Sequence, residues 1–185
     1  MKTFRVKLVL ALGAVAALSV AVAAIAAAHG GGHGIKEKLT GYQEVPALST
    51  PGHGTFRASI DKKKSEIRYT LTFSGLESSA TQSHIHFENA TNNGPVVVFL
   101  CTNLGNGPAG TPACPASGGT VTGTLTPASM TAGGAAQGLA AGEFDELIRA
   151  IKSGATYVNV HSVNRPAGEI RAQLVHGKNG KDRHR

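Results

Sequence analysis

The segment Ser83-His84-Ile85-His86-Phe87-Glu88 sets two imidazoles one residue apart in a chain with only eight histidines. Imidazole is the commonest metal-ligating side chain and titrates near neutrality, so the pair is a candidate for metal binding or proton transfer. On a strand, residues i and i+2 share a face. His84 and His86 therefore point one way, while Ile85 and Phe87 point toward a core. In Tyr157-Val158-Asn159-Val160-His161 the same alternation buries Val158 and Val160 and sends Tyr157, Asn159 and His161 to the opposite face.

If these two strands are near neighbours, three imidazoles converge off the core side. Adjacent strands lie roughly 4.8 Å apart, which is compatible with ligation at about 2.0–2.1 Å per nitrogen. A set of neutral imidazoles with one position left for water suits Cu(II) or Zn(II). The alternative is that His84 and His86 are outward-facing polar residues whose hydrogen bonds order a loop. Two weaker ligand candidates are His53, in Thr50-Pro51-Gly52-His53-Gly54, and His29, where a new amino terminus beside an imidazole would chelate copper.

The elements that must position these residues read as short strands. In Thr55–Ile60, Phe56, Ala58 and Ile60 alternate with Thr55, Arg57 and Ser59, and in Ile67–Phe73 the apolar set is Ile67, Tyr69, Leu71 and Phe73. Each predicts a half-buried strand. Pro95–Cys101 is apolar at every other position and between, which predicts a central strand covered on both sides or one facing a loop. Residues 119–127 give a weaker strand whose Gly123 implies a bulge or close packing. The last two strands, around Tyr157–Ser162 and Gly168–Val175, should form a hairpin across Val163–Gly168. Phe144, Leu147, Ile148 and Ile151 recur at helical spacing, so residues 142–153 form one short amphipathic helix, with acids in its first turn and Gly154 as its cap. The fold class is all-β: antiparallel strands with a single helix.

Residues 1–28 lie outside that domain. Lys2, Arg5 and Lys7 precede an uncharged, mostly apolar run from Leu8 to Ala28, the pattern of an export signal cut before His29. At 21 residues the run is also long enough to span a bilayer, so contact with a membrane is expected only if it stays uncleaved. The segment carries three of the 18 basic residues and none of the 11 acidic ones, leaving +4. Gly177–Arg185 holds four bases and one acid, which leaves about +1 on the domain. That excludes a nucleic-acid surface. Residues 29–34 read as a flexible leader, 35–175 as one domain and 176–185 as a disordered basic tail.

Export places the chain outside the cell or in its envelope, where Cys101 and Cys114, the only cysteines, are expected to pair. Closing that loop stabilises the fold by about 3 kcal/mol on the chain-entropy model. Glu169 and Arg171 share a strand face and are expected to form an exposed ion pair of little energetic weight. Asn89-Ala90-Thr91 matches a glycosylation acceptor.

Four blocks in order, beginning Leu39-Thr40-Gly41-Tyr42-Gln43-Glu44-Val45-Pro46, Ile67-Arg68-Tyr69-Thr70-Leu71, Ser83-His84-Ile85-His86 and Ala150-Ile151-Lys152-Ser153-Gly154, the last running through Tyr157-Val158-Asn159-Val160-His161, resemble the chordin-type CHRD domain over roughly Lys38–Leu174. The resemblance implies an immunoglobulin-like, Greek-key β-sandwich from an exported protein and no general enzymatic activity. The strand-borne histidines are also similar to the copper site of copper-zinc superoxide dismutase. That family needs more histidines and an aspartate, so dismutase activity is not expected. Three readings follow: a non-enzymatic binding module carrying copper or zinc; a structural domain bound to extracellular protein or polysaccharide; and, weakest, a small metal-dependent redox enzyme.

Overall fold

The computed structural model describes residues 34–175. The predicted signal segment, His29 with the leader before residue 34, and the basic tail lie outside the described residues. Within them are β1 (Ile35–Thr40), β2 (His53–Asp61), β3 (Glu66–Ser74), β4 (Ala80–Phe87), β5 (Val96–Thr102), β6 (Gly119–Leu125), α1 (Phe144–Ser153), β7 (Thr156–Ser162) and β8 (Ile170–Gln173).

Every strand pairing is antiparallel, in the order β5-β4-β7-β8-β1-β2-β3-β6. The expected immunoglobulin-like sandwich has two separate sheets, whereas here the ladder is continuous. Its narrowest point is β1 against β8, which meet in register at Thr40↔Arg171. Without that join the sheet would fall into two four-stranded halves. Alternation reports that a strand is half-buried but not which strand lies beside it, so it could not reveal the join. The two ends of the ladder also approach one another. The Tyr69 hydroxyl on β3 donates to the Leu100 carbonyl on β5, and Met130, beyond β6, bridges Val98. The sheet is thereby curled nearly into a barrel.

The alternation expected of β2 and β3 is observed, with Phe56, Ile67, Tyr69, Leu71 and Phe73 all buried. Gly123 of β6 marks close packing: a Cβ there would lie 2.6 Å from Tyr69 Cε1. In α1 the buried side is Phe144, Leu147, Ile148, Ala150 and Ile151, and Gly154 closes it in the left-handed conformation at φ 76°. Phe144, Leu147, Ile148 and Ile151 join one core with Ile85, Val158, Val160 and Ile170.

β5 is covered on both faces, as its sequence requires, but it ends the ladder rather than lying in its centre. Chain beyond β6 takes the place of a neighbouring strand. The Thr131 N–H donates to the Val97 carbonyl at 3.0 Å and the Thr131 hydroxyl to the Val96 carbonyl at 2.6 Å. Cys101 and Cys114 are joined, with their Cα atoms 5.0 Å apart.

Candidate metal centre

β4 and β7 are direct neighbours in the ladder, with Gln82 opposite His161, His84 opposite Asn159 and His86 opposite Tyr157. Ile85, Val158 and Val160 take the core side. His84, His86 and His161 therefore share the other face, as their spacing predicts. That face is not solvated: the three residues are 2%, 7% and 5% exposed. The expectation of outward-facing imidazoles is corrected, because side chains and loops distant in sequence cover them. Phe99 of β5 meets the His84 ring edge-on with centroids 4.4 Å apart. Tyr157 stacks on His86 at 4.6 Å, and the Arg171 guanidinium sits 3.4 Å from the Tyr157 ring centroid. The 89–94 loop and the β7–β8 turn complete the cover through hydrogen bonds to the rings.

Those bonds fix where the protons are. A carbonyl only accepts, so His86 Nδ1 carries the hydrogen that reaches Gly94 O at 2.8 Å, and His161 Nδ1 the one that reaches Pro166 O at 3.0 Å. Burial, with a further push from His161 and His86, lowers His84 from 6.5 to about 2. Burial also lowers His161 to about 4, against the Pro166 bond that favours its charged form. His86 is lowered too, chiefly by burial and partly offset by its bond to Gly94. All three rings are neutral near pH 7, and a neutral ring with its hydrogen on Nδ1 has a lone pair at Nε2.

His161 Nε2 accepts from His84 Nδ1 at 3.0 Å. His84 is then left with its own Nε2 lone pair, buried and without a partner. His86 Nε2 lies 3.1 Å from the side-chain amide of Asn159. With Nδ1 already donating, that contact is satisfied when the amide turns its NH2 group to the ring. The face thus gathers three imidazoles with their Nδ1 hydrogens committed; the Nε2 lone pair of His84 is free, and those of His161 and His86 each accept one neutral donor. Backbone carbonyls at Nδ1 are the usual orienting partners of metal-bound histidine.

One donor nitrogen from each ring lies within 4.8 Å of the others. Nitrogens bound to one ion at about 2.0–2.1 Å are roughly 3.3–3.6 Å apart. Uptake must therefore draw the rings together by about an ångström and replace the His84–His161 hydrogen bond.

The other sequence candidates lie elsewhere. His53, at the exposed start of β2, has Nδ1 on Pro51 O at 3.0 Å and Nε2 on Ser74 Oγ at 3.1 Å, and it is not part of the cluster. Glu169 and Arg171 do not form the expected ion pair. The Glu169 carboxylate accepts from Thr50 Oγ1, the Glu77 N–H and the Ser162 hydroxyl. Arg171 is buried and donates to Asn93 Oδ1 and to the carbonyls of Asn89 and Asn92. Strand alternation put both residues on one face, but each found partners in a different loop. Asn89 is exposed. Sequence reasoning missed Phe99, Gly94 and Arg171 as parts of the centre; Phe99 lies opposite His84 in the β4–β5 pairing, a register that alternation alone does not give.

Over residues 35–174 the chain matches the CHRD domain. It belongs to the CHRD family. No curated protein and no solved structure matches it. In this CHRD domain the two blocks that build the centre, His84-Ile85-His86 and Tyr157–His161, are also the most specific parts of the resemblance noted in the sequence.

Proposed function

We propose that this protein is an exported CHRD binding module, without catalytic activity, that takes up Cu(II) or Zn(II) through His84, His86 and His161. The observation that carries this is the buried, unpartnered Nε2 of His84 in a cluster of three neutral rings whose donors lie within 4.8 Å. An unsatisfied buried polar atom is costly, and an ion offers it a partner. Copper and zinc are favoured over calcium or magnesium because the donor set is all nitrogen. Export is supported by the Cys101–Cys114 pairing, which persists in oxidising compartments.

The test is titration of the untagged mature domain with Cu(II) and Zn(II) beside a His84→Ala/His86→Ala variant, with ion content measured after dialysis. One ion per chain retained by the parent and lost by the variant is expected. Equal uptake by both discards the proposal.

A second reading has its own support: His86 and His161 donate to Gly94 and Pro166 carbonyls in two loops. On that reading the domain is structural, bound to extracellular protein or polysaccharide, and the rings only order its loops. It gains if the same double substitution melts the metal-free fold and the parent retains no ion.

A further inference from the structure

The loop after β1 and the turn joining β7 to β8 line an open cavity of about 260 Å3. Val45, Pro46, Leu48 and Pro166 give it an apolar wall, completed by Glu44 and Gly168. Glu44 is 6% exposed, and its Oε1 is buried with no hydrogen-bond partner. The carboxyl packs directly against the turn: a Cβ on Gly168 would lie 2.6 Å from Oε1 and 2.8 Å from the Asn159 side-chain amide, and the backbone there has φ +128°. Burial pushes Glu44 up to about 7, against the attraction of Arg171 and a bond from the Val45 N–H.

The nearby cations are already engaged. Arg171 is held by Asn93 and the carbonyls of the 89–94 loop, and Arg165, also in the cavity wall, pairs with Glu77 at 2.8 Å. Neither donates a hydrogen bond to Glu44. A buried carboxyl left short of donors carries a desolvation cost that a charged donor would relieve. One carboxylate among prolines and aliphatic groups is a poor seat for a hard divalent ion, which needs six or more oxygens. It suits a group with an apolar stem and a cationic head.

We propose that this cavity binds a primary alkylammonium group, its head donating to Glu44 and its aliphatic stem lying on Val45, Pro46, Leu48 and Pro166. Two sources offer that chemistry, a lysine side chain of a partner protein or a free alkylamine. Tyr42 and Val163, both largely exposed, stand close in sequence to the two walls. The cavity lies outside the three-histidine cluster, so it is tested on metal-free protein.

The experiment is calorimetric and NMR titration of the full chain in EDTA at pH 8 with n-butylamine, 1-butanol and Nα-acetyl-lysine N-methylamide. Saturable amine binding is expected, with 1-butanol at least about tenfold weaker, as loss of a charge-assisted hydrogen bond implies. Glu44→Gln should weaken the amine by a similar factor and leave the alcohol unchanged. If that variant does not fold, Ala167→Leu, at an exposed position of the cavity wall, fills the space with the carboxyl intact and must abolish amine binding. Tighter binding of the lysine derivative than of n-butylamine assigns the source to a partner's lysine, and the reverse order to a free amine. Equal affinity for amine and alcohol, or unchanged amine binding by Glu44→Gln, overturns the proposal. So does the absence of saturation by either amine.

Discussion

Acidification should unfold the metal-free domain through its own histidines, and the size of the effect follows from the centre. His84 and His161 are pushed from 6.5 down to about 2 and about 4, and His86 is lowered as well. Below pH 6.5 the unfolded chain protonates these rings more readily than the folded chain, in which His84 and His161 stay neutral to about pH 4. His84 and His161 therefore each cost nothing at pH 8 and about 1.4 kcal/mol per pH unit below 6.5, down to their folded values. Glu44 acts in the opposite sense. Its carboxyl, raised to about 7 from 4.5, holds a proton that the unfolded chain releases, and it returns about 1.4 kcal/mol per unit as pH falls between those values. His84 and His161 against one carboxyl leave a net one proton, or about 1.4 kcal/mol lost per pH unit between pH 6 and 5, and His86 adds to the loss in the same direction. Against a typical domain stability of roughly 5–15 kcal/mol, that is a steep dependence. Urea unfolding in EDTA at pH 8, 7, 6 and 5, followed by far-ultraviolet circular dichroism, measures it. His84→Gln should reduce the slope by about one proton, or 1.4 kcal/mol per unit. A stability that stays flat or rises from pH 6.5 to 5 would refute the burial and neutrality of these rings.

Three further outcomes are expected. Reduction of Cys101–Cys114, or Cys101→Ser/Cys114→Ser, should cost about 3 kcal/mol in urea unfolding on the loop-closure estimate, and a loss below about 1 would show the 102–113 loop to be ordered without it. Gly123→Ala should destabilise by about 1–3 kcal/mol because its methyl group meets Tyr69 Cε1 at 2.6 Å, and thermal unfolding at unchanged stability would contradict that close packing. Arg171→Ala removes the donor shared by Asn93 Oδ1 and the Asn89 and Asn92 carbonyls, so a loss of at least about 3 kcal/mol and faster amide exchange at residues 89–94 are expected. Exchange unchanged from the parent would show that the loop is held by other contacts.

Where alternation was clean the sequence was sufficient: Phe56 and Ala58, Ile67 through Phe73, and Val158 and Val160 all lie where period two puts them. The helix was legible because Phe144, Leu147, Ile148 and Ile151 form one stripe. β1 was not. In Ile35–Thr40 the buried apolar residues are Ile35 and Leu39, with Glu37 between them on the same side, so the run looks like a charged linker until β2 pairs with it over its whole length. The convergence of His84, His86 and His161 needed only strand geometry and one guessed adjacency. Their burial was out of reach, because the covering groups, Phe99, Gly94 and Pro166, belong to a strand edge, a loop and a turn with no periodic signature. Charge complementarity misled at Glu169 and Arg171, where hydroxyls and carbonyls from other segments satisfied each group first.

The strap across β5 bears on how the domain would fail. Val96–Cys101 is uncharged, begins with three β-branched valines and is apolar on both faces, the composition that stacks readily into cross-β assemblies once its edge is bare. Met130 and Thr131 occupy that edge through a few local hydrogen bonds rather than a full ladder. Loosening of that short span, well before the rest of the molecule comes apart, would be enough to seed fibrils, so storage lifetime should track the strap rather than the melting temperature.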